Sequence, residues 1–178
     1  MLRPTLKFLL PVATLIAACD KPSTEPVFDH SAAHLQMAVT SSGDLSGLAK
    51  TVRQATMRFH STTQATRAGY VGASPCIAAP GLGGMGFHWV NDQLVDPVFD
   101  AMNPEAVLYE PGPNGTLKFV AVEYIVINVG QPAPTFDGQP FDVGGTPVPV
   151  PHWSLHVWLN RENPNGLFAP FNPDVSCS

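Results

Sequence analysis

The strongest apolar run of the chain lies at 117–129 and reads L-K-F-V-A-V-E-Y-I-V-I-N-V. Valine, isoleucine, phenylalanine and tyrosine favour a pleated, half-buried surface, so this run predicts a central β-strand. Apolar residues occupy both alternating sets of positions, which indicates that both faces of the strand are covered. Glu123 is the one carboxylate in the run. A buried carboxylate has to be paired, hydrogen-bonded or neutralised, so Glu123 points to a site.

A second apolar pattern, at helical spacing, covers 44–68. The residues that repeat at intervals of three and four are Leu45, Leu48, Val52, Ala55 and Phe59. Such a stripe predicts one amphipathic helix. Ser42 or Asp44 can cap its start, and Gly69 can end it in the left-handed conformation.

Shorter runs predict three further strands, at 87–90, 106–110 and 153–159. Asn114-Gly115, between the second of these and the central run, is a strong hairpin signal. Together the elements predict an α+β fold, with one main N-terminal helix packed on an antiparallel sheet of about four strands. The 19 prolines and 15 glycines predict that the fold is rich in loops.

Two segments have an unusual composition, one rich in glycine and one rich in proline, and each is interpreted separately. The segment 74–86, S-P-C-I-A-A-P-G-L-G-G-M-G, has neither the strand–helix context of a dinucleotide fingerprint nor the Lys-Ser/Thr pair of a P-loop. Its glycines instead predict tight turns and close approach of backbones. The segment 130–151 holds six prolines and shows no periodicity. We expect it to fold across a site, anchored by Phe136, Phe141, Val143 and Val148.

The N-terminus reads as an export signal. Arg3 and Lys7 precede a short apolar run at 8–18, which is too short for a comfortable membrane span. The junction Leu15-Ile16-Ala17-Ala18-Cys19 resembles a bacterial lipobox, so Cys19 is predicted to be lipidated. An ordinary cleavable signal with an incidental cysteine is the alternative.

These features divide the chain into a signal peptide (1–18), a lipidated cysteine with a tether (19–43) and a single globular domain (44–178). The predicted location is the cell envelope, lipid-anchored, facing the periplasm or the exterior.

The net charge limits the classes of partner that the protein is expected to bind. The formal net charge is -5, and loss of Arg3 and Lys7 with the signal leaves -7 (-5 minus 2). An acidic chain without a basic cluster argues against nucleic acid, whose binding depends on neutralising phosphates. It also argues against a basic membrane-binding face, so attachment rests on the lipid.

Two cysteines remain once Cys19 is acylated. Cys76 and Cys177 form an even pair in an oxidising compartment, which predicts a disulfide. Such a bridge would close most of the folded domain and contribute about 4 to 5 kcal/mol by loop entropy. Two free thiols are the alternative.

Three ionisable residues stand on predicted strands, namely His88, Glu123 and His156. If they converge, two imidazoles and a carboxylate suit zinc or another divalent transition metal with an open coordination position. The same trio can serve metal-free acid–base chemistry, or each member can be a satisfied polar group of the core. The motifs G-x-S-x-G, H-E-x-x-H and C-x-x-C-H are absent from the sequence, so serine hydrolase, zincin and c-type haem readings lack support.

Strict alternation along the central strand raises a difficulty for Glu123. It places on one face, together with Glu123, the residues Phe119, Ala121, Ile125 and Ile127. If that face packs on the helix, Glu123 is expected to pair locally, for instance with His60, and the cluster does not form.

Four segments carry a resemblance to a known family. They read G-M-G-F-H-W-V-N (84–91), P-E-A-V-L-Y-E-P (104–111), V-A-V-E-Y (120–124) and L-H-V-W-L-N-R-E-N-P-N-G-L-F-A-P-F-N-P-D-V-S-C (155–177). This wording resembles a family of small, exported, uncharacterised bacterial proteins and covers 45–177. The segment Leu159-Asn160-Arg161 is more polar than the family's aromatic version. The resemblance implies a single exported domain and no particular mechanism.

Three classes of function follow. The first is an exported lipoprotein that binds a small ligand or a metal under the proline-rich segment. The second is an envelope enzyme that uses the same histidine–glutamate pocket and shows turnover. The third is an interaction module without a polar site, which would expose an apolar patch of several hundred Å².

Overall fold

The computed structural model describes residues 45–145 and 148–178. The predicted signal peptide, the lipidation of Cys19, the tether and the caps Ser42 and Asp44 lie outside the described residues. Their interpretation stays a prediction.

A large antiparallel sheet forms the centre of the fold. Its strands are β1 (Val71–Gly72), β2 (Ile77–Ala79), β3 (Gly83–Val90), β4 (Ala106–Pro111), β5 (Leu117–Ile127), β8 (Asp142–Val143) and β9 (His152–Val157). The order is β1-β3-β4-β5-β9-β8, β2 also pairs with β3, and each of these ladders is antiparallel. Two further strands, β6 (Thr135–Phe136) and β7 (Gln139–Pro140), form a separate pair.

The α+β class is confirmed, but a sheet of about four strands was an understatement, because the sheet has seven. The three additional strands, β1, β2 and β8, are two or three residues long. Segments this short cannot show an alternating apolar pattern, so periodicity does not reveal them.

The predicted central strand is central. β5 lies between β4 and β9, and its residues from Phe119 to Val126 are buried. β3 starts earlier than predicted because the glycines before Phe87 join it. Gly86 has a φ of +97°, and a Cβ there would overlap the carbonyl oxygen of Tyr109. The expected close approach of two backbones is found at this position.

The helical stretch is interrupted. An α-helix, α1 (Gly47–Thr56), continues as a 3-10 turn (Met57–His60), and after Ser61 a second helix, α2 (Thr62–Arg67), follows. Ser61 is extended (φ -96°, ψ 113°), and residues 61–63 are Ser-Thr-Thr, which compete poorly for helix.

The ends and the buried face of this stretch can be compared with the prediction. Ser46 caps α1 by accepting a hydrogen bond from Ala49 N–H, and Gly69 ends α2 with a φ of +97° as predicted. Ala55 of the predicted stripe is exposed, whereas Ala49 and Thr56 are buried.

The two faces of the sheet carry separate apolar clusters. The helix-side cluster contains Val52, Phe59, Phe119 and Tyr124, among others. The opposite cluster is made of Val90, Ala106, Leu108, Val120, Ala121, Ile125, Trp158 and Val175. We call the face with this second cluster the far face, because it is turned away from the helices.

A β-bulge decides on which face Glu123 lies. Tyr109 is opposite Phe119, but its neighbour Leu108 is opposite Ala121, so the register shifts by one residue. The extra residue breaks the strict alternation of β5. Phe119 therefore packs towards the helices, while Ala121 and Ile125 lie on the far face. The expectation that Glu123 shares a face with Phe119 was wrong.

The proline-rich segment only partly follows its prediction. Phe136 and Phe141 are buried, but in the helix-side cluster, and Val143 is 80% exposed. Val148 packs against the far-face cluster. The segment thus crosses the edge of the sheet and anchors on both sides.

Cys76 and Cys177 are joined in a disulfide, with their Cα atoms 5.6 Å apart. The predicted pairing is found. The bond links the residue directly before β2 to the C-terminal tail. The tail is also held by a bridge in which Gly84 and Asn172 exchange two backbone hydrogen bonds of 3.0 Å.

Candidate metal site

The sheet register brings His88, Glu123 and His156 together on the far face. Glu123 of β5 is directly opposite His156 of β9. His88 stands two strands from Glu123, on β3. On β4, which lies between them, His88 is opposite Leu108 and Glu123 is opposite the small residue Ala106.

The three side chains are buried and close. Each offers one ligand atom, and these atoms lie within 4.8 Å of one another. His88 Nε2 is 3.5 Å from Glu123 Oε2. The two imidazole rings are 5.9 Å apart and nearly perpendicular, at 84°, so they approach Glu123 from different directions. The predicted convergence of the trio is found in this geometry.

The tautomer of His88 follows from the direction assigned to the hydroxyl proton of Ser74. Ser74 Oγ is 2.8 Å from the carbonyl oxygen of Pro75, and in this assignment it donates its single proton there. Towards His88 it can then only accept, from the backbone N–H at 3.1 Å and from Nδ1 at 3.1 Å. This assignment puts the ring proton of His88 on Nδ1. The lone pair of Nε2 is left to face Glu123.

A second serine orients Glu123. Ser154 Oγ donates a 2.6 Å hydrogen bond to Glu123 Oε1. The other carboxylate oxygen, Oε2, therefore faces the histidines. Groups that hold a ligand from behind in this way are typical of metal sites, where they set orientation and basicity.

Three atoms of the cluster lack a hydrogen-bond partner among the described residues, namely His88 Nε2, Glu123 Oε2 and His156 Nε2. Buried polar atoms are rarely left unpartnered, because each costs about 1–3 kcal/mol. Nε2 of His88 and Oε2 of Glu123 are moreover both acceptors at 3.5 Å. Two facing acceptors require a proton or a cation between them.

Burial sets the protonation states. It lowers the pKa of His88 to about 4, and burial together with neighbouring His88 lowers the pKa of His156 to about 3. Burial raises the pKa of Glu123 to about 7, although the hydrogen bond from Ser154 works in the opposite direction. At neutral pH both imidazoles are therefore neutral, which is the form that binds a metal.

Two other histidines stay outside the cluster. His152 shares the far face of β9, but its Nδ1 is bonded to the carbonyl of Val150 at 2.7 Å. His60 is exposed and stacks edge-on against Phe119, on the helix side. The alternative in which Glu123 pairs with His60 was wrong, because they lie on opposite faces of the sheet.

Two residues of this region were missed from the sequence. Ser74 lies in the glycine-rich segment, and nothing in the pattern connects it to a histidine 14 positions later. Glu105 is a second buried carboxylate, which accepts the N–H of Ile125 at 2.9 Å. Burial raises the pKa of Glu105 to about 8, with that hydrogen bond acting against the rise. Glu105 could have been found from the sequence, because it directly precedes the apolar run that forms β4.

A cleft lies beside the site. Its volume is about 240 Å³, and Glu123, Ser154 and His156 are part of its wall. Asp142, Gly144 and Gly145 of the proline-rich segment line it as well. Glu123 and His156 thus contribute to the wall of the cleft, whereas His88 does not, and the unpartnered Oε2 and Nε2 atoms of the first two are themselves buried.

No protein-family model, no curated protein and no solved structure matches this chain. What the site does therefore rests on its own residues. In the described part of the chain, none of the helices is long and apolar enough to cross a membrane.

Proposed function

We propose that this protein is an exported, lipid-anchored envelope domain that binds one divalent transition metal ion through His88, Glu123 and His156. Zinc is the best match to two imidazoles and one carboxylate. The lipobox-like junction before Cys19 supports the anchor. The observation that carries the metal assignment is that three buried, unpartnered ligand atoms lie within 4.8 Å of one another.

The size of the cluster supports this assignment. Zinc bonds to nitrogen and oxygen at about 2.0–2.2 Å, so two ligand atoms of a tetrahedral site lie about 3.3 Å apart. The shortest separation between His88 and Glu123 is already 3.5 Å. The ligand atoms all lie within 4.8 Å of one another, so none of the pairs has to close by more than about 1.5 Å to reach the tetrahedral separation.

Zinc titration of the metal-stripped protein is expected to show one tight site per chain. His88→Ala and His156→Ala should each weaken binding by at least about 100-fold, because loss of a group behind a ligand already costs 10–100-fold. Isothermal titration against a competing chelator gives the affinities, on protein prepared without an affinity tag.

His60→Ala is the matched control, since it removes an exposed histidine on the other side of the sheet. It should bind zinc as the unaltered protein does. Circular dichroism of each variant reports whether the fold is kept. One full equivalent of tightly bound zinc in both His88→Ala and His156→Ala would refute the site.

The zinc affinity should depend on pH through one proton. The lowered pKa values of His88 and His156 keep both rings unprotonated above about pH 5, so they do not compete with the metal. The raised pKa of Glu123, about 7, means that zinc must displace a proton below that pH. The affinity should be flat above pH 7 and fall about tenfold per pH unit below it.

Measured affinities at pH 8, 7, 6 and 5.5 test this slope. Ser154→Ala is the informative variant, because it removes the hydrogen bond that lowers the pKa of Glu123. The break in its profile should move to higher pH. A slope of two or three protons between pH 7 and 5.5 would place the competing protons on the histidines and contradict the expectation.

A further inference from the structure

The helical stretch differs from the rest of the chain in its charge. Residues 45–91 contain neither aspartate nor glutamate. Lys50, Arg53, Arg58 and Arg67 give residues 45–70 a formal side-chain charge of +4. Residues 71–178 contain two cations and ten carboxylates, which is a charge of -8. The net charge of the whole chain averages over these two unequal parts, so it does not reveal a basic face.

The four cations belong to the outer layer on the helix side of the sheet. The buried apolar residues of α1, the 3-10 turn and α2 are members of the helix-side cluster. The side chains of Lys50, Arg53, Arg58 and Arg67 are exposed on the same elements. The candidate metal site lies on the far face, so the sheet separates it from this basic layer.

The cations outside the helical stretch are neutralised by a carboxylate of the fold. Lys118 Nζ is 3.0 Å from Glu110 Oε1, and Arg161 Nη1 is 3.3 Å from the same oxygen. Both cations of residues 71–178 are thus paired within the domain.

The arginines of the helical stretch are not paired in this way. Arg53 donates to the neutral side chain of Asn160 at 3.4 Å, and Arg58 lies over the ring of Phe59 at 4.7 Å. Within residues 45–145 and 148–178, neither of them nor Arg67 forms a salt bridge with a carboxylate. Three exposed guanidinium charges therefore lack an opposite charge from the described part of the chain.

The position of this layer in the chain favours a membrane as its partner. The predicted tether (19–43) ends next to the helical stretch, and Leu45 packs against the helix-side cluster. The chain thus enters the domain on its basic side. Cationic residues on an amphipathic helix attract anionic lipid headgroups, and each lysine or arginine near the surface raises the affinity about fivefold. Met57, which is 55% exposed between Arg53 and Arg58, adds an apolar side chain that can enter the headgroup region.

We propose that the exposed layer of α1, the 3-10 turn and α2 is a docking surface for an anionic lipid bilayer. Docking there turns the far face, with His88, Glu123 and His156, away from the membrane. The orientation rests on the proposed lipid anchor, whereas the contact itself rests on the charges alone.

Vesicle binding by the mature chain with Cys19→Ser tests the surface without the lipid. We expect it to co-sediment with phosphatidylcholine vesicles that contain about 30% phosphatidylglycerol, and not with phosphatidylcholine alone, because anionic lipids create the negative surface potential. The partition should fall at least about tenfold between about 0.05 M and about 0.5 M salt, which screens exposed charges.

Charge-removing variants locate the contact. Arg53→Gln, Arg58→Gln and Arg67→Gln should each lower the partition about fivefold, and the triple variant at least about 50-fold. Lys118→Gln is the matched control, because it removes the same charge from an exposed side chain that is paired with Glu110. It should change the partition by less than about twofold. Circular dichroism reports whether each variant keeps the fold.

The orientation is measured on the lipidated full chain in anionic vesicles. Gln54→Cys places one thiol on the exposed side of α1, and Val143→Cys places one beside the cleft. Cys76 and Cys177 are bonded to each other, so an environment-sensitive fluorophore attaches to the new thiol. A headgroup nitroxide lipid should quench the fluorophore at position 54 several-fold more than the one at position 143.

Several results would overturn the proposal. Equal binding to both kinds of vesicle, or equal losses in Lys118→Gln and the arginine variants, shows that the helical stretch is not the docking surface. Equal quenching at both positions refutes the orientation. Binding to a DNA duplex as tightly as to anionic vesicles identifies a general polyanion surface instead of a membrane surface. An unmodified Cys19 in mass spectrometry removes the anchor, and a failed zinc titration removes the metal site, so both are distinct from failure of this surface.

Discussion

Glu123→Gln is expected to stabilise the metal-free protein at pH 8 while removing its zinc binding. In the folded protein the carboxylate is buried, and its pKa is raised to about 7 by that burial. Glutamine keeps an oxygen for the hydroxyl of Ser154, which now bonds to Glu123 Oε1. Its amide can also donate to His88 Nε2, which lacks a partner. The variant therefore removes a buried charge, keeps the hydrogen bond from Ser154 and adds one hydrogen bond to His88.

The sign and size of the effect follow from the pKa. A carboxyl group whose folded pKa is raised destabilises the protein above that pKa and has no such effect below its unfolded value, 4.5. The advantage of glutamine should be close to zero at pH 4.5 and complete by about pH 8. The pKa rises from 4.5 to about 7, and at about 1.4 kcal/mol per pKa unit this corresponds to at most about 3.5 kcal/mol.

Urea unfolding at pH 4.5 and 8, with a chelator present and the disulfide intact, measures this difference. Glu162→Gln is the control, because it makes the same change at an exposed position, and it should be neutral at both pH values. With zinc at about 1,000 times its dissociation constant, the unaltered protein should gain about 4 kcal/mol and the variant nothing. A metal-free Glu123→Gln that is less stable at pH 8 would show that the carboxylate is stabilised as an anion, against this account.

Removal of the Cys76–Cys177 disulfide should cost about 4 kcal/mol of unfolding free energy without changing the fold. The two cysteines are 101 residues apart, and closing a loop of about 100 residues removes about 4.7 kcal/mol of chain entropy from the unfolded state. The native tail keeps other attachments, because Arg161 donates to the carbonyl of Asp174 at 2.6 Å and Asn172 bonds to Gly84. The lower stability of the variant is therefore expected to come from the higher entropy of its unfolded chain, and not from a change in the folded protein.

Urea unfolding of the Cys76→Ser/Cys177→Ser double variant, compared with the unaltered protein, gives the difference. Far-ultraviolet circular dichroism should be the same for both. The double variant is also its own control, since a reductant should destabilise the unaltered protein to the same level and leave the variant unchanged. If the unaltered protein unfolds at the same urea concentration with and without reductant, the bond makes no contribution and the expectation is wrong.

Elements with long hydrophobic patterns could be predicted from the sequence alone. The run at 117–129 has enough β-branched and aromatic residues to predict a strand covered on both faces, and β5 is that strand. The stripe that starts at Leu45 predicted one helix, which the structure interrupts at Ser61, and Gly69 ends the helical stretch as predicted. An even number of cysteines after Cys19 was enough to pair Cys76 with Cys177. In each case the signal is local or a matter of counting, so no knowledge of strand order is needed.

The residues of the candidate site could be predicted from the sequence, but their arrangement could not. His88, Glu123 and His156 could be named, because ionisable residues on apolar strands are conspicuous. Their convergence depended on strand order, on Ala106 opposite Glu123 and on a bulge between Leu108 and Tyr109. None of these three features can be predicted from the pattern of hydrophobic positions along the chain.

The face on which Glu123 lies, and the residues around it, depend on how the strands pair. Strict alternation put Glu123 with Phe119 on one face, and one extra residue in the ladder separated them. Ser74 reaches His88 from a segment 14 positions earlier, through a loop whose path the glycines permit but do not specify. Side chains are placed by the register between strands, and register is a property of pairs of segments. A single segment therefore shows which buried polar residues need a partner, and only the pairing of the strands shows which residue that partner is.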